Sequence, residues 1–328
     1  MGFPIQLALL DAVNPLRILY DEAFDRTLRR YFFRNVQFTE PAGDAGWFGP
    51  GSAVWHVHEH APLLMLGLNA AATIETLHPD FAWMGNDHTR SVERDENGAP
   101  TGRLDPEGMR LRGGHSFAFF AGVAYGPTPV AERLTRIVSG MHHRVRGVRP
   151  DGRPYDADDP HTLRWAYATV VWGIAVAHER YHLRPLKDID EYYGEFVRVG
   201  EALGGTELPA TKAAVLQCLD AERPMMALSP PAAQSFDAFA PSNHPLPLRP
   251  AIDLFQWTIY DLQPRWAQRL LRLPSTSAPE KLVRRTIIRA ALNGLHYSAG
   301  PLREVREARM RAAAPAAGRA PYADRIAA

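Results

Sequence analysis

Along most of this chain apolar residues return at three- and four-residue spacings, and no run of alternating apolar and polar positions is long enough to read as a strand. The pattern predicts a first helix over about 20–37 and a second over about 62–77. The second is apolar nearly all round, which places it centrally, and it stops at His78-Pro79. Residues 86–108 are polar, punctuated by Gly and Pro and without period, so a long loop is expected there, functional or disordered. Helical periods resume over 109–125, ending at Gly126-Pro127, and over 128–147, where Val130, Leu134, Ile137, Val138, Met141 and Val145 share a face. After the turn "PDGRPYDADDP" a helix starts at Pro160 with Asp159 as N-cap. Its stripe is Leu163, Tyr167, Val170, Val171, Ile174 and Ala177. Further helical stretches are expected over 187–204, 209–226, 248–272 and 279–295, with a Pro-rich break at 241–250. The result is a single all-α domain over 1–311, followed by a low-complexity tail, 312–328, expected to be disordered.

Composition narrows the classes of function. The chain has 328 residues, 46% hydrophobic and 22% charged, with a net charge of +1, so nucleic acid is not an expected partner. The single cysteine, Cys218, excludes an internal disulfide, a thiolate zinc site and an iron–sulfur cluster, and it fits a reducing compartment. The opening "MGFPIQLALLDAVNP" lacks the basic start of a secretory signal, and a cytoplasmic location is expected. The most apolar runs, 61–77 and 165–177, read as core helices rather than membrane spans. Oligomeric state is left open.

No phosphate loop, dinucleotide fingerprint, G-x-S-x-G elbow or H-E-x-x-H helix is present, and the remaining candidate chemistry is histidine. Thirteen occur, three of them in "HVHEH" as His56, His58 and His60. A strand would project these on one face, but the segment leads into a helix, so capping and surface roles are expected and a metal centre on the three is the weaker alternative. His142 lies one turn beyond Val138, facing the core, while its neighbour His143 falls toward solvent. A core histidine is either a hydrogen-bonded structural residue or an axial ligand for haem iron. Arg112, His115 and Ser116, at i, i+3 and i+4, stack on one helical face before Phe119 and Phe120. The arginine there either snorkels or pairs with a carboxylate, or holds a fixed charge over a cofactor or its ligand. Glu75 shares a face with Leu64, Leu68 and Ala71; burial would raise its pKa and make it a candidate base, and pairing with an arginine is the alternative.

An ordered set of motifs spans roughly 45–205: "WFGPGSAVWHVH", then "LHP", then Arg112-x-x-x-Ser116 before an aromatic helix ending "YG". "MHHRVRG", "DGRPYDADDP" and a Trp-containing helix follow. This series resembles the MpaB-type oxygenases and the latex-clearing rubber oxygenases. The resemblance implies a globin-like all-α domain enclosing a haem pocket, with haem b as cofactor and dioxygen as co-substrate. By position, His142 matches the proximal iron ligand, Arg112 the arginine near the haem, and Ser116 a threonine of the relatives. His115 stands where rubber oxygenases carry a lysine that reaches the iron from the distal side, and this departure permits a bis-histidine iron. Tyr167 replaces a histidine found in many members, and either hydrogen-bonds an iron ligand or fills core. No carboxylate is transferred for the base; Glu75, Asp80 and Asp87 are candidates. The expected function is a haem-dependent oxygenase acting on a hydrophobic small molecule of isoprenoid or polyketide type. The alternative is a haem- or lipid-binding or sensing protein without turnover, with bis-histidine iron.

Overall fold

The computed structural model describes residues 14–29, 32–33, 36–238 and 240–315. It contains fourteen α-helices among the described residues and two short antiparallel hairpins, an all-α fold. In chain order these are α1 (Pro15–Phe24), α2 (Ala53–His58), α3 (Ala61–Thr76), α4 (Pro79–His88), β1 (Val92–Arg94), β2 (Pro100–Leu104), α5 (Pro106–Tyr125) and α6 (Thr128–His142). Then follow β3 (Arg146–Val148), β4 (Pro154–Asp156), α7 (Pro160–Tyr181), α8 (Asp190–Ala202), α9 (Lys212–Ala221), α10 (Pro230–Ala238), α11 (Arg249–Leu262), α12 (Arg265–Leu270), α13 (Ala278–Ala299) and α14 (Arg303–Ala313).

Helix starts follow the local chemistry. Asp159 accepts from the amides of His161 and Thr162 ahead of Pro160, and Asp105 does the same for Glu107 and Gly108 ahead of Pro106. Two histidines take this role as well: the His60 ring accepts from Leu63 N–H and the His78 ring from Asp80 N–H.

The core is organised about α3 and α7, whose backbones nearly touch. A Cβ on Gly67 would lie 2.6 Å from Ile174 Cα, and one on Gly173 would lie 2.5 Å from the Gly67 carbonyl oxygen. Only glycine at both positions allows this crossing. The buried side chains Leu63, Leu64, Leu66, Ile74, Trp165, Val171 and Ile174 then pack around it.

A second organising point is the corner between α5 and α6. Trp55 Nε1 donates to Ala124 O at 2.8 Å, and Tyr125 Oη donates back to Trp55 O at 2.8 Å, tying α2 to the end of α5. Asp44 caps α6, accepting from Thr128 N–H at 2.8 Å and from its hydroxyl at 3.0 Å. Arg311 of α14, almost wholly buried, donates to the carbonyls of Phe38, Asp44 and Tyr125 at 2.7, 2.7 and 2.9 Å. The C-terminal helix thereby pins the 38–46 loop against the corner.

Several boundaries differ from the sequence reading. The helix expected over 20–37 is α1, ending at Phe24 and followed by a π-turn over Asp25–Arg29. The polar stretch 86–108 is not a structureless loop: α4 runs to His88, and β1 and β2 form a hairpin around Asn97-Gly98, with Gly98 at φ +80°. The helix expected over 128–147 ends at His142, because residues 146–156 form the β3–β4 hairpin around Asp151-Gly152. Pro264 splits the expected 248–272 helix into α11 and α12. Of the tail, residues 312 and 313 complete α14, and 316–328 lie outside the described residues.

Candidate functional site

Glu75 sits on α3 two turns beyond the Gly67 crossing, and Thr169 sits on α7 one turn before Gly173. The close helix approach therefore brings Thr169 Oγ1 to 2.6 Å from Glu75 Oε1. Burial raises the Glu75 pKa to about 7, against the opposing effects of the Thr169 hydroxyl and the Arg112 charge. Thr169 Oγ1 also lies 3.1 Å from Trp165 O and 2.9 Å from Ala166 O. Its single proton can go to the helix carbonyls while it accepts from a protonated Glu75, or to the carboxylate when Glu75 is ionised. This carboxyl can thus hold or release a proton near neutrality.

Arg112 is on the outward face of α5, and its guanidinium packs against α4 at Gly85. Ser116, one turn on, is exposed on the same face. His115 is exposed too, with its ring edge-on to Phe32 at 4.7 Å between centroids. The three share a helix face as expected, but His115 leans toward the N-terminal segment while Arg112 leans toward α4.

His142 ends α6. It is half-buried, with Nδ1 enclosed and without a hydrogen-bond partner, and burial lowers its pKa despite the opposing effect of Asp158. His143, next to it, is exposed and held by Asp158 at 2.6 Å. α5 and α6 pack closely where Gly122 stands. Gly122 meets Leu134, with so little space that a Cβ there would lie 2.3 Å from Leu134 Cδ1. His142 lies eight residues further along α6, and no hydrogen bond, ion pair or ring contact among the described residues joins it to Arg112, His115 or Ser116. The faces around them are partly apolar: Ile137 and Met141 are 53% and 46% exposed, and Phe119 and Phe120 are half-buried.

Tyr167 lies in the packing between α7 and α8, and its hydroxyl donates to Tyr193 O at 3.2 Å. The observed contact is the core-filling one. Asp80 pairs with Arg149 at 3.0 Å, and Asp87 accepts from the Tyr155 hydroxyl at 2.5 Å, so of the candidate carboxylates Glu75 is the one next to Arg112.

The three histidines of "HVHEH" separate because α2 is helical. His58 Nε2 faces the Tyr192 hydroxyl at 3.3 Å, and His60 caps α3 and stacks on His296 at 4.1 Å. His56 turns instead toward His178 and His182. That second triad escaped the sequence reading. Its signal was His-x-x-x-His at 178 and 182, the spacing that places two rings on one helical face.

The protein is all-helical, with a proton-holding carboxyl, Glu75, that feels the charge of Arg112, with His115 and Ser116 on the same face of α5, and with a half-buried His142 at the end of α6. The family model described as ER-bound oxygenase mpaB/B'/Rubber oxygenase, catalytic domain, matches residues 55–292, and the chain belongs to that family. It is therefore an enzyme of the oxidoreductase type, an oxygenase. No curated protein and no solved structure matches it. No helix among the described residues is long and apolar enough to cross a membrane.

Proposed function

We propose that this oxygenase uses haem b and dioxygen to oxidise a hydrophobic small molecule, isoprenoid or polyketide in type. The observation that carries the reading is His142. A half-buried imidazole whose Nδ1 has no hydrogen-bond partner, at the end of a helix beside the exposed side chains of Ile137 and Met141, has the donor chemistry that haem iron takes. Its lowered pKa keeps the ring neutral, with a lone pair to give. His142 would hold the group, with His115 of α5 as the second histidine available to it. Bound haem b would supply the redox-active iron that activates dioxygen.

The remaining roles belong to the chain itself. Arg112 carries a fixed positive charge that stabilises negative charge developing on oxygen, and Ser116 adds a hydroxyl donor one turn away. Glu75, with its pKa near 7, takes or returns a proton while Thr169 changes between accepting from it and donating to it. Ile137, Met141, Phe119 and Phe120 offer apolar contact to the substrate and exclude water from it. Tyr167 has its hydroxyl engaged with Tyr193 and supports the α7–α8 packing.

The test is dioxygen consumption by haem-supplemented protein presented with polyprenoid and polyketide alkenes. Product formation that falls at least about 100-fold in Arg112→Ala supports the reading, since loss of one oxyanion donor costs about 10²–10³ in rate. A ferrous spectrum unmoved by carbon monoxide, together with no oxygen uptake, would favour binding without turnover.

A further inference from the structure

A second constellation involves neither Arg112 nor His142. His178 and His182 come from the end of α7, and His56 from α2. Their candidate ligand nitrogens all lie within 4.8 Å of one another. Ring centroids are 5.3 Å apart for His56 and His178, 5.1 Å for His56 and His182, and 4.6 Å for His178 and His182. His178 and His182 are buried, whereas His56 is half-buried and gives a way in from solvent. Of the adjacent imidazoles, His60 has partners at both ring nitrogens, Leu63 N–H and Asn293, and His58 turns its Nε2 toward Tyr192 while its Nδ1 has no partner.

An independent observation points to a ligand. His178 is 1% exposed, and its Nδ1 has no hydrogen-bond partner. Because Nε2 accepts from Leu186 N–H, this Nδ1 carries the ring proton, a buried donor without an acceptor, and the other tautomer of the ring would turn it into a lone pair for an ion.

We propose that His56, His178 and His182 bind one divalent transition-metal ion of the zinc type through three imidazole nitrogens, leaving a further position open. The donor set selects the metal class. Three neutral nitrogens without carboxylate or thiolate suit Zn²⁺, Co²⁺, Ni²⁺ or Cu²⁺ and offer nothing to Mg²⁺ or Ca²⁺. The rings arrive neutral, since burial pushes His178 down to about 3 and His182 to about 4.

Hydrogen bonds around the rings add a consequence. His56 Nε2 lies 2.9 Å from the Arg184 carbonyl and donates to it, which leaves Nδ1 with a free lone pair and an oriented ring. The other two rings accept: Arg184 N–H donates to His182 Nδ1 at 2.9 Å, and Leu186 N–H to His178 Nε2 at 3.1 Å. Each neutral imidazole has one lone pair, so capture of a metal by His178 Nδ1 and His182 Nε2 moves each ring proton to the nitrogen facing the loop. Both amide bonds then break, no proton is released overall, and the 183–187 segment shifts. Metal binding and the position of that segment are thereby linked.

The experiment uses the full chain, haem-free and stripped with chelator, titrated with Co²⁺ and followed by its visible d–d bands, with Zn²⁺ as competitor. One Co²⁺ per chain is expected, displaced by Zn²⁺, with faster amide exchange at Arg184 and Leu186 on loading. Removal of partners that merely orient a ligand costs about 10–100-fold in affinity, so His56→Asn and His178→Ala should each cost at least about 100-fold. His142→Ala should bind Co²⁺ as the wild type does, which separates this site from the haem reading. No Co²⁺ uptake, or uptake unchanged in His56→Asn, overturns the proposal; His56 is half-buried, so this variant serves even where His178→Ala does not fold. Uptake without any change at the two amides overturns the linkage to the segment.

Discussion

Alanine at Gly173 would place its Cβ 2.5 Å from Gly67 O, 2.8 Å from Ala71 N and 2.9 Å from Ala71 Cβ. Two of the three are backbone atoms of α3, so no side-chain rotation relieves the contact. In a free helix the substitution would gain about 1 kcal/mol, because glycine is the poorer helix former. Overpacking a close-fitting core costs about 1–3 kcal/mol, and contacts this short to backbone fall at the upper end. The overlap wins, and a net loss of about 2 kcal/mol is expected as α3 and α7 move apart. The same separation stretches the 2.6 Å contact between Thr169 and Glu75, so the damage reaches the site as well as the fold. Gly294 in α13 provides the matched control, since a Cβ there meets nothing within 4 Å. Urea unfolding should show Gly173→Ala with a lower midpoint than wild type and Gly294→Ala with a higher one, by about 0.5–1 kcal/mol. A Gly173→Ala protein as stable as wild type would refute the close crossing and the placement of Glu75 that depends on it.

Three other outcomes follow from buried polar groups. The Glu75 pKa is about 7 in the folded chain against an ordinary 4.5, so the stability this proton confers is full below about 4.5 and is lost as pH rises through 7. Glu75→Gln should exceed wild type in urea stability at pH 8 by on the order of 3 kcal/mol, with the gap closing toward pH 5, and equal curves at both pH values would contradict the assignment. His58, His60 and His178 are held down at about 3, and His182 and His296 at about 4, so stability present above the ordinary 6.5 is lost as pH falls. Each proton taken up on unfolding is worth about 1.4 kcal/mol per pH unit against a total of about 5–15 kcal/mol, so cooperative unfolding is expected between about pH 6 and pH 4, and native circular dichroism retained below pH 4 would refute it. Arg311→Ala leaves three carbonyls without their donor and should cost about 3–5 kcal/mol, read as a fall in thermal midpoint; a shift near zero would mean that α14 does not clamp the corner.

The helical architecture was legible because long periodic segments such as 62–77 and 160–181 bring their own caps and prolines. The hairpins were not, although Asn97-Gly98 and Asp151-Gly152 are strong turn signals. Strands of three to five residues are too short to establish a period, and Val145 continues the α6 stripe, so the helical pattern runs on past the helix's end at His142. The conspicuous histidines misled for a related reason. In "HVHEH" they are neighbours in sequence, but helical geometry turns them apart, and the partners of His56 lie over 120 residues away, joined to it only by the packing of α2 beside the end of α7. For Arg112, Ser116 and His142, the order of motifs points to the residues, while the way α5 and α6 place them relative to one another is beyond any local pattern. Glu75 was a candidate from its helix face, but its partner Thr169 depends on the Gly67–Gly173 crossing, a long-range contact that no local pattern announces.

The central claim is that His142 holds haem in this oxygenase, and the absorption spectrum of the purified chain after haem supplementation tests it most directly. The account predicts a Soret band with about one haem per chain in wild type and in His56→Asn, lost or shifted to a non-specific spectrum in His142→Ala. No Soret band in wild type, or the same band in His142→Ala, would contradict it.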